Sequence, residues 1–284
     1  MTHIRTFGVI GGDRRLLFCA DSMQQDGFQT AAAGFDLWNG SPAVRQMSVL
    51  QVIDSSDALV LPLPLSKDGL HLHSPLSSRD FDLHALFSQI PPDLPVFYGL
   101  PNEVLSGSGL LKAYCYGNRE DFAVSNALPT SEGAIAAAIR ETDSTLSGAE
   151  VLVAGFGRIG KILSAQLRGI GARVTVSARK TSDLAIIREN GLRACKTEEI
   201  GGEYDIIFNT VPAMIFDRDI LSRLSCRSLL IDLASLPGGV EEEAAAAKGI
   251  RVLHALSLPG KTAPKSAGII IKNTVYSIIR EEGL

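Results

Sequence analysis

Residues 151–160 read VLVAGFGRIG: Val151-Leu-Val-Ala154 runs directly into Gly155-Phe-Gly157-Arg-Ile-Gly160. A G-x-G-x-x-G run is informative only at a strand-to-helix turn. Here a β-prone run precedes it, and Arg158 to Leu167 follows with helical spacing. In such a turn the three glycines have separate tasks. Gly155 permits the tight turn, Gly157 lets a pyrophosphate approach the backbone, and Gly160 lets the helix lie close to the strand. The free amides at the helix start, with Arg158 and Ile159 among them, attract phosphate. The next strand ends at Val174-Thr-Val-Ser177. A carboxylate there would hold both hydroxyls of an NAD ribose. The chain has Ser177-Ala-Arg179-Lys180-Thr181 instead. Cations and hydroxyls suit a ribose 2′-phosphate that a carboxylate would repel, which predicts NADP. Arg179 stacks or forks, and Ser177, Lys180 and Thr181 assist.

Outward from this turn the second half is regular. Strands are predicted at Ala172 to Ser177, Tyr204 to Asn209, Leu229 to Leu233 and Arg251 to His254. Helices are predicted at Asp183 to Asn190, Asp217 to Leu224 and Val240 to Lys248, with a long final helix in Ala263 to Arg280. Together with Val151 to Ala154 this gives five strands of a doubly wound sheet. Asn209, Thr210 and Pro212 end the third strand and are placed beside the cofactor. Asp232 ends the fourth and reads as a structural acceptor.

The first half also alternates strand and helix. Phe7 to Ile10, Phe28 to Ala33, Ala58 to Pro64, Val96 to Tyr98 and Ala113 to Tyr116 read as strands. Arg14 to Gln25 and Asp82 to Ile90 read as helices. Between the halves, Pro129-Thr130-Ser131-Glu132 looks like a helix start, with Thr130 or Ser131 as N-cap. The expected fold is therefore α/β with two doubly wound parallel-sheet domains, flavodoxin-like first and Rossmann second, joined by a helix. The predicted boundaries are 1–125, a connecting helix at 126–148, and 149–284 including the C-terminal helix.

Length and composition agree. The chain has 284 residues, 45% hydrophobic and 20% charged, which excludes a disordered or coiled-coil protein. A net charge of -4 gives no global attraction to nucleic acid or anionic membrane. Four scattered cysteines (Cys19, Cys115, Cys195 and Cys226) form no C-x-x-C pair. They predict neither a disulfide framework nor a metal site, and fit a reducing cytoplasm. The first residues do not read as a signal peptide, and no stretch of about 18 apolar residues suggests a membrane span.

Several segments together resemble the family of dipicolinate synthase A subunits. They are Gly11-Gly-Asp-Arg14, Val60-Leu-Pro-Leu-Pro64, Asn126-Ala-Leu-Pro-Thr-Ser-Glu-Gly-Ala-Ile135, Gly155 to Gly160, Phe208-Asn-Thr-Val-Pro-Ala213, Ile231-Asp-Leu-Ala-Ser-Leu-Pro-Gly-Gly239 and Leu258-Pro-Gly-Lys-Thr-Ala-Pro-Lys-Ser-Ala-Gly268. The resemblance spans nearly the whole chain. It implies a sporulation enzyme of the mother-cell cytoplasm, acting after 4-hydroxy-tetrahydrodipicolinate synthase. Such an enzyme makes pyridine-2,6-dicarboxylate with NADP as oxidant, beside the smaller B subunit of dipicolinate synthase. It also implies an architecture like that of 2-hydroxyacid dehydrogenases.

That chemistry requires a site that holds two carboxylates and accepts a proton. Thr130 and Ser131 at a helix start, Lys261 and Thr262 in a loop before the last helix, and Arg14 are the expected carboxylate binders. His254, Glu132 and Lys261 are the expected catalytic groups, His254 because it titrates near neutrality. His3, His71, His73 and His84 read as loop or surface residues. Two other readings stay open: a shikimate- or 2-hydroxyacid-type dehydrogenase, and a non-catalytic NADP-binding scaffold. Association of the chain with itself is also left open.

Overall fold

The structure is a computed structural model and describes residues 4–235 and 238–284. His3 and the Leu236-Pro237 step of the 231–239 segment lie outside the described residues. The chain forms two compact units.

The first unit contains the residues up to Asn126 together with Ala263–Leu284. Its elements are β1 (Thr6–Ile10), α1 (Arg14–Gln25), β2 (Gln29–Ala33), α2 (Val49–Ser55), β3 (Ala58–Val60), α3 (Leu83–Ser88), β4 (Val96–Tyr98), α4 (Glu103–Ser106) and β5 (Ala113–Cys115). All neighbouring strands run parallel, in the order β2-β1-β3-β4-β5. This is the flavodoxin-like order, whose switch point lies between β1 and β3. Leu16, Ala20 and Met23 on α1 follow helical spacing and are buried with Phe7 and Val9 of β1. The predicted strand at Ala58 to Pro64 stops at Val60. Proline cannot donate to the ladder, so Pro62 and Pro64 belong to the loop beyond it.

A long helix, α5 (Glu120–Glu141), crosses from one unit to the next, with Pro129 inside it. The predicted helix start at Thr130 is therefore mid-helix. Proline has no amide to donate to the Ser125 carbonyl, yet the helix continues through it.

The second unit covers Ala127–Thr262. After α5 come β6 (Glu150–Ala154), α6 (Arg158–Ile170), β7 (Arg173–Ala178), α7 (Thr181–Glu189), β8 (Arg193–Lys196), β9 (Ile206–Asn209), α8 (Arg218–Ser222), β10 (Leu229–Asp232), α9 (Glu242–Lys248), β11 (Arg251–His254) and α10 (Leu258–Thr262). The sheet has six strands, one more than the sequence suggested, in the order β11-β10-β9-β6-β7-β8. All pairs are parallel. This is the Rossmann order, with its switch point between β6 and β9.

The last helix, α11 (Pro264–Glu282), belongs to the first unit and not to the Rossmann unit as predicted. Its stripe Ala267, Ile271, Val275 and Ile278 is buried, the last three in one cluster with Phe7, Leu16 and Met23. Buried Lys272 extends its Nζ to Asp26 Oδ2 at 2.6 Å. That hydrogen bond holds the Asp26 carboxyl below its usual range. Gly268 sets the approach of α11 to α1. A methyl there would lie 2.4 Å from the Arg15 carbonyl oxygen and 2.8 Å from the Cys19 nitrogen.

Gly→Ala within a helix normally stabilises by about 0.5–1 kcal/mol. At Gly268 the sign reverses: the methyl meets backbone that cannot rotate away, and the expected loss is about 1–3 kcal/mol. Gly169→Ala in α6, where a methyl meets nothing within 4 Å, keeps the normal sign. Urea unfolding of both variants checks this; a stabilised Gly268→Ala would contradict the described packing.

Candidate functional site

The carboxyl end of β6 delivers the glycine turn of the second unit. Gly155 has φ +99°, a region L side chains rarely adopt. Its nitrogen donates to the Ser177 carbonyl at 3.0 Å. A methyl on Gly160 would lie 2.1 Å from the Gly155 carbonyl oxygen, so the helix can begin this close to the strand only with glycine there. Gly157 differs from both. It is the exposed N-cap of α6, gives no side-chain cap, and a methyl there would meet no atom of the described residues within 4 Å. The fold itself therefore does not demand glycine at 157. An uncapped, thirteen-residue helix pointing its first amides into that open space fits a dinucleotide pyrophosphate. Arg158 is exposed and Ile159 half-buried on the first turn.

At the end of β7, Arg179, Lys180 and Thr181 are exposed. Among the described residues neither Arg179 nor Lys180 has an ion-pair partner. Lys180 is the N-cap position of α7. Ser177 departs from expectation. It is fully buried, and its hydroxyl has no hydrogen-bond partner among the described residues. Because β7 is an interior strand, flanked by Ala154 of β6 and Cys195 of β8 at this level, Ser177 has no exposed surface for a ribose phosphate.

Asn209 departs as well. Its Nδ2 donates to Asp232 Oδ1 at 2.9 Å and to the Val211 carbonyl at 3.2 Å, and its Oδ1 accepts from the Val211 nitrogen. Its side chain is buried and fully used in bracing two strand ends, so it does not face the cofactor directly. Asp232 also accepts from the nitrogens of Ala234 and Gly239. It is the structural acceptor expected. Thr210 Oγ1 donates to the Ala154 carbonyl at 2.8 Å and buttresses the glycine turn, and Pro212 is exposed beyond it. His254, exposed at the end of edge strand β11, pairs through Nε2 with Glu242, and its Nδ1 is 3.9 Å from Asp232 Oδ2.

The expected substrate residues of this unit lie on two packed helices. A methyl on Gly133 of α5 would lie 2.8 Å from Leu258 Cβ and 2.9 Å from Thr262 Oγ1 on α10, which brings this stretch of α5 beside Thr262. Lys261 and Thr262 sit on a short helix, not in the loop predicted. Glu132, Lys261 and Thr262 are exposed; Thr130 and Ser131 are buried. The Ser131 hydroxyl donates to the Ala127 carbonyl at 2.8 Å, and α5 has no N-terminal amides at this point to offer a carboxylate.

In the first unit the loop after β1 carries Gly11, Gly12 and Asp13, which caps α1 by accepting from the Arg15 nitrogen. Arg14, the expected binder, is exposed and places its guanidinium over Phe18 and Trp38, 5.9 and 5.5 Å from their ring centroids. Its neighbour Arg15, which sequence reasoning missed, is buried. Arg15 Nε and Nη2 each donate to the Asp13 carboxylate at 2.9 Å, and Nη2 also bonds the Leu63 carbonyl. Burial works to raise the Asp13 carboxyl, but hydrogen bonds and charge from Arg15 outweigh it and hold it below its usual value. An Asp at the N-cap with Arg two residues on, after Gly-Gly, was the available signal. His73, read as a loop or surface residue, lies in the loop after β3 and is half-buried.

Two parallel sheets with these strand orders, and an open glycine turn at the switch point of the second, define a two-domain nucleotide-binding α/β protein of the oxidoreductase type. Residues 129–249 match the family model of the D-isomer specific 2-hydroxyacid dehydrogenase NAD binding domain. Residues 6–108 match that of the N-terminal domain of the dipicolinate synthase A subunit. The dipicolinate synthase A subunit of Bacillus subtilis is 32% identical over 96% of this chain and 95% of its own length. The crystal structure of the Bacillus halodurans A subunit superposes with a TM-score of 0.86 at 30% identity, covering 97% of each chain. The crystal structure of the Bacillus subtilis protein superposes with a TM-score of 0.84 at 31% identity, over 99% of this chain and 97% of that one. The chain belongs to the family of dipicolinate synthase A subunits. No helix among the described residues is long and apolar enough to cross a membrane.

Gly157→Val separates folding from binding. The side chain enters open space, so the thermal midpoint stays within about 2 °C of the parent, while affinity for a nicotinamide dinucleotide falls more than about a hundredfold because the pyrophosphate position is filled. Fluorescence titration with the reduced dinucleotides and thermal unfolding check this; retained affinity would exclude the turn as the site.

Proposed function

We propose that this chain binds NADP and oxidises dihydrodipicolinate, formed from 4-hydroxy-tetrahydrodipicolinate, to dipicolinate as the A subunit of a two-subunit dipicolinate synthase. The observation that carries the reading is the combination at the ends of β6 and β7: an open, uncapped glycine turn, followed by exposed Arg179 and Lys180 where an NAD site would carry an acid. Family membership supports the product, and the word subunit in the relative's name supports a partner, the B subunit of the synthase. Work in the mother-cell cytoplasm during sporulation belongs to the same reading.

The residues divide the task as follows. Gly155, Gly157, Arg158, Ile159 and Gly160 hold the pyrophosphate. Arg179, Lys180 and Thr181 hold the 2′-phosphate; a guanidinium forks onto phosphate oxygens and an ammonium adds charge. Thr210 and Pro212 shape the wall beyond the turn. Lys261 and Thr262, with Glu132 beside them, meet a carboxylate of the substrate. His254 is held by Glu242 through its Nε2, a carboxylate–imidazole pairing of the kind that orients a general base. The bound nicotinamide supplies a hydride acceptor, and the protein supplies orientation and charge. Aromatisation of the ring favours the forward direction.

Two tests follow. NADPH binds more tightly than NADH, and Arg179→Ala reduces that preference at least about tenfold, the loss of one charge-assisted contact of about 1.5–3 kcal/mol. Equal affinities in the parent would end the NADP reading. Lys261→Ala raises KM for the dicarboxylate about tenfold or more, as expected for a lost charged contact, and leaves NADPH affinity unchanged. An unchanged KM removes Lys261 from the site.

A further inference from the structure

Lys161 closes the first turn of α6: its nitrogen donates to the Gly157 carbonyl at 3.0 Å. Residues four apart lie on one face of a helix, and each Cα–Cβ bond tilts toward the N-terminus. The Lys161 stem therefore leans back over Gly157, where an added methyl would meet no atom of the described residues within 4 Å. The far end of the side chain agrees. Lys161 Nζ lies 5.4 Å from the ring centroid of Phe156, the residue between the first two glycines of the turn. At that distance an ammonium is attracted to the ring face. Lys161 is exposed, and among the described residues it has no ion-pair partner.

For the empty chain this placement is unfavourable. A helix end carries a partial positive charge at its N-terminus, which repels a cation and attracts a carboxylate. The other helices of the unit follow that rule: α7, α8 and α9 carry Asp183, Asp219, and Glu242 with Glu243 in their first turns. The first turn of α6 holds no acid, and its Arg168 stands in the last turn, where the dipole favours a cation. Lys161 adds positive charge to an end that is already positive and has no side-chain cap. The Phe156 ring offsets part of the repulsion and keeps the ammonium at the turn. An anion in the open space offsets the rest. The diphosphate of a dinucleotide brings two negative charges there, whereas one helix end supplies only about half an elementary charge. A cation must supply the balance.

We propose that Lys161 pairs with the diphosphate of the bound dinucleotide, its ammonium leaving the Phe156 face for the phosphate oxygens on a flexible four-carbon stem. The empty fold gives up stability to hold the charge ready. The assignment rests on the NADP reading of the turn and adds the residue that neutralises the bridge between the two nucleosides. It carries a signature that a structural lysine lacks. Removing a structural residue lowers stability and affinity together. Removing Lys161 relieves the helix end of the empty chain and weakens the ligand, so the two effects have opposite signs.

The test uses the full chain and needs no turnover. Lys161→Met keeps an apolar stem and removes the charge. It lowers NADPH affinity at least about fivefold in fluorescence titration, as expected for a lost charge-assisted contact. It also flattens the fall of that affinity with added salt. Adenosine 2′-monophosphate, which has the ribose phosphate and no diphosphate, binds within about twofold of the parent in calorimetry, because its contacts lie at the end of β7. The thermal midpoint of the empty variant equals or exceeds that of the parent. Lys161→Arg, which keeps the charge, binds NADPH more tightly than Lys161→Met does. A smaller loss of NADPH affinity in Lys161→Met overturns the assignment. So does a comparable loss with adenosine 2′-monophosphate, a lowered midpoint, or a Lys161→Arg variant as weak as Lys161→Met. A parent chain that binds no NADPH overturns the NADP reading and this assignment with it; a parent that binds NADPH beside an unaffected Lys161→Met variant overturns the assignment alone.

Discussion

The carbonyl oxygen of Gly155 stands 2.1 Å from where a Gly160 methyl would be. That distance admits a hydrogen and nothing larger, and it fixes where α6 begins relative to β6. The helix starts before its first amides find partners, and they face the open space at Gly157. Thr210, arriving from β9 on the other side of the switch point, locks the arrangement through the Ala154 carbonyl. One strand further, the Asn209–Asp232 bond and the Gly239 amide hold the next loops in register. The nucleotide cradle is thus a consequence of close backbone contact, with the side chains around it used mainly as braces.

Charge is arranged to complement that cradle. The chain is acidic overall, at -4. Some of its cations are nonetheless neutralised within the fold. Arg15 is held by Asp13 and Lys272 by Asp26, and each carboxyl is lowered as a result. For such groups stability present above the ordinary carboxylate range is lost as pH falls through the lowered value. Arg179 and Lys180 stand exposed just past the carboxyl end of β7, where a bound anion would cost little desolvation of the protein's own charge.

What the sequence disclosed follows from local physics. The glycine turn, the helical spacing of Leu17, Ala20 and Met23, and the apolar runs of the central strands could be read because each signal lies within one element. Edge strand β8 (Arg193–Lys196) escaped because Arg-Ala-Cys-Lys has no apolar alternation, and the strand is half-exposed. Pro129 suggested a helix start because proline favours the first turn; that α5 already runs from Glu120 depends on contacts such as Phe122 with Tyr116. Pro259-Gly260 disguised α10. The membership of α11 in the first unit rests on Gly268 meeting α1, across some 250 residues of chain. Arg15 and His73 were illegible for the same reason: their partners arrive from separate loops after β1 and β3, and no spacing rule links them.

The central claim is that a 2′-phosphorylated adenosine is what the second unit is built to hold. Calorimetric titration of the full chain with adenosine 2′,5′-bisphosphate and with adenosine 5′-monophosphate tests it without any turnover. The account predicts that the bisphosphate binds at least about tenfold more tightly, with the difference shrinking as salt screens the exposed guanidinium and ammonium. Equal affinities, or a preference for the monophosphate, would contradict it.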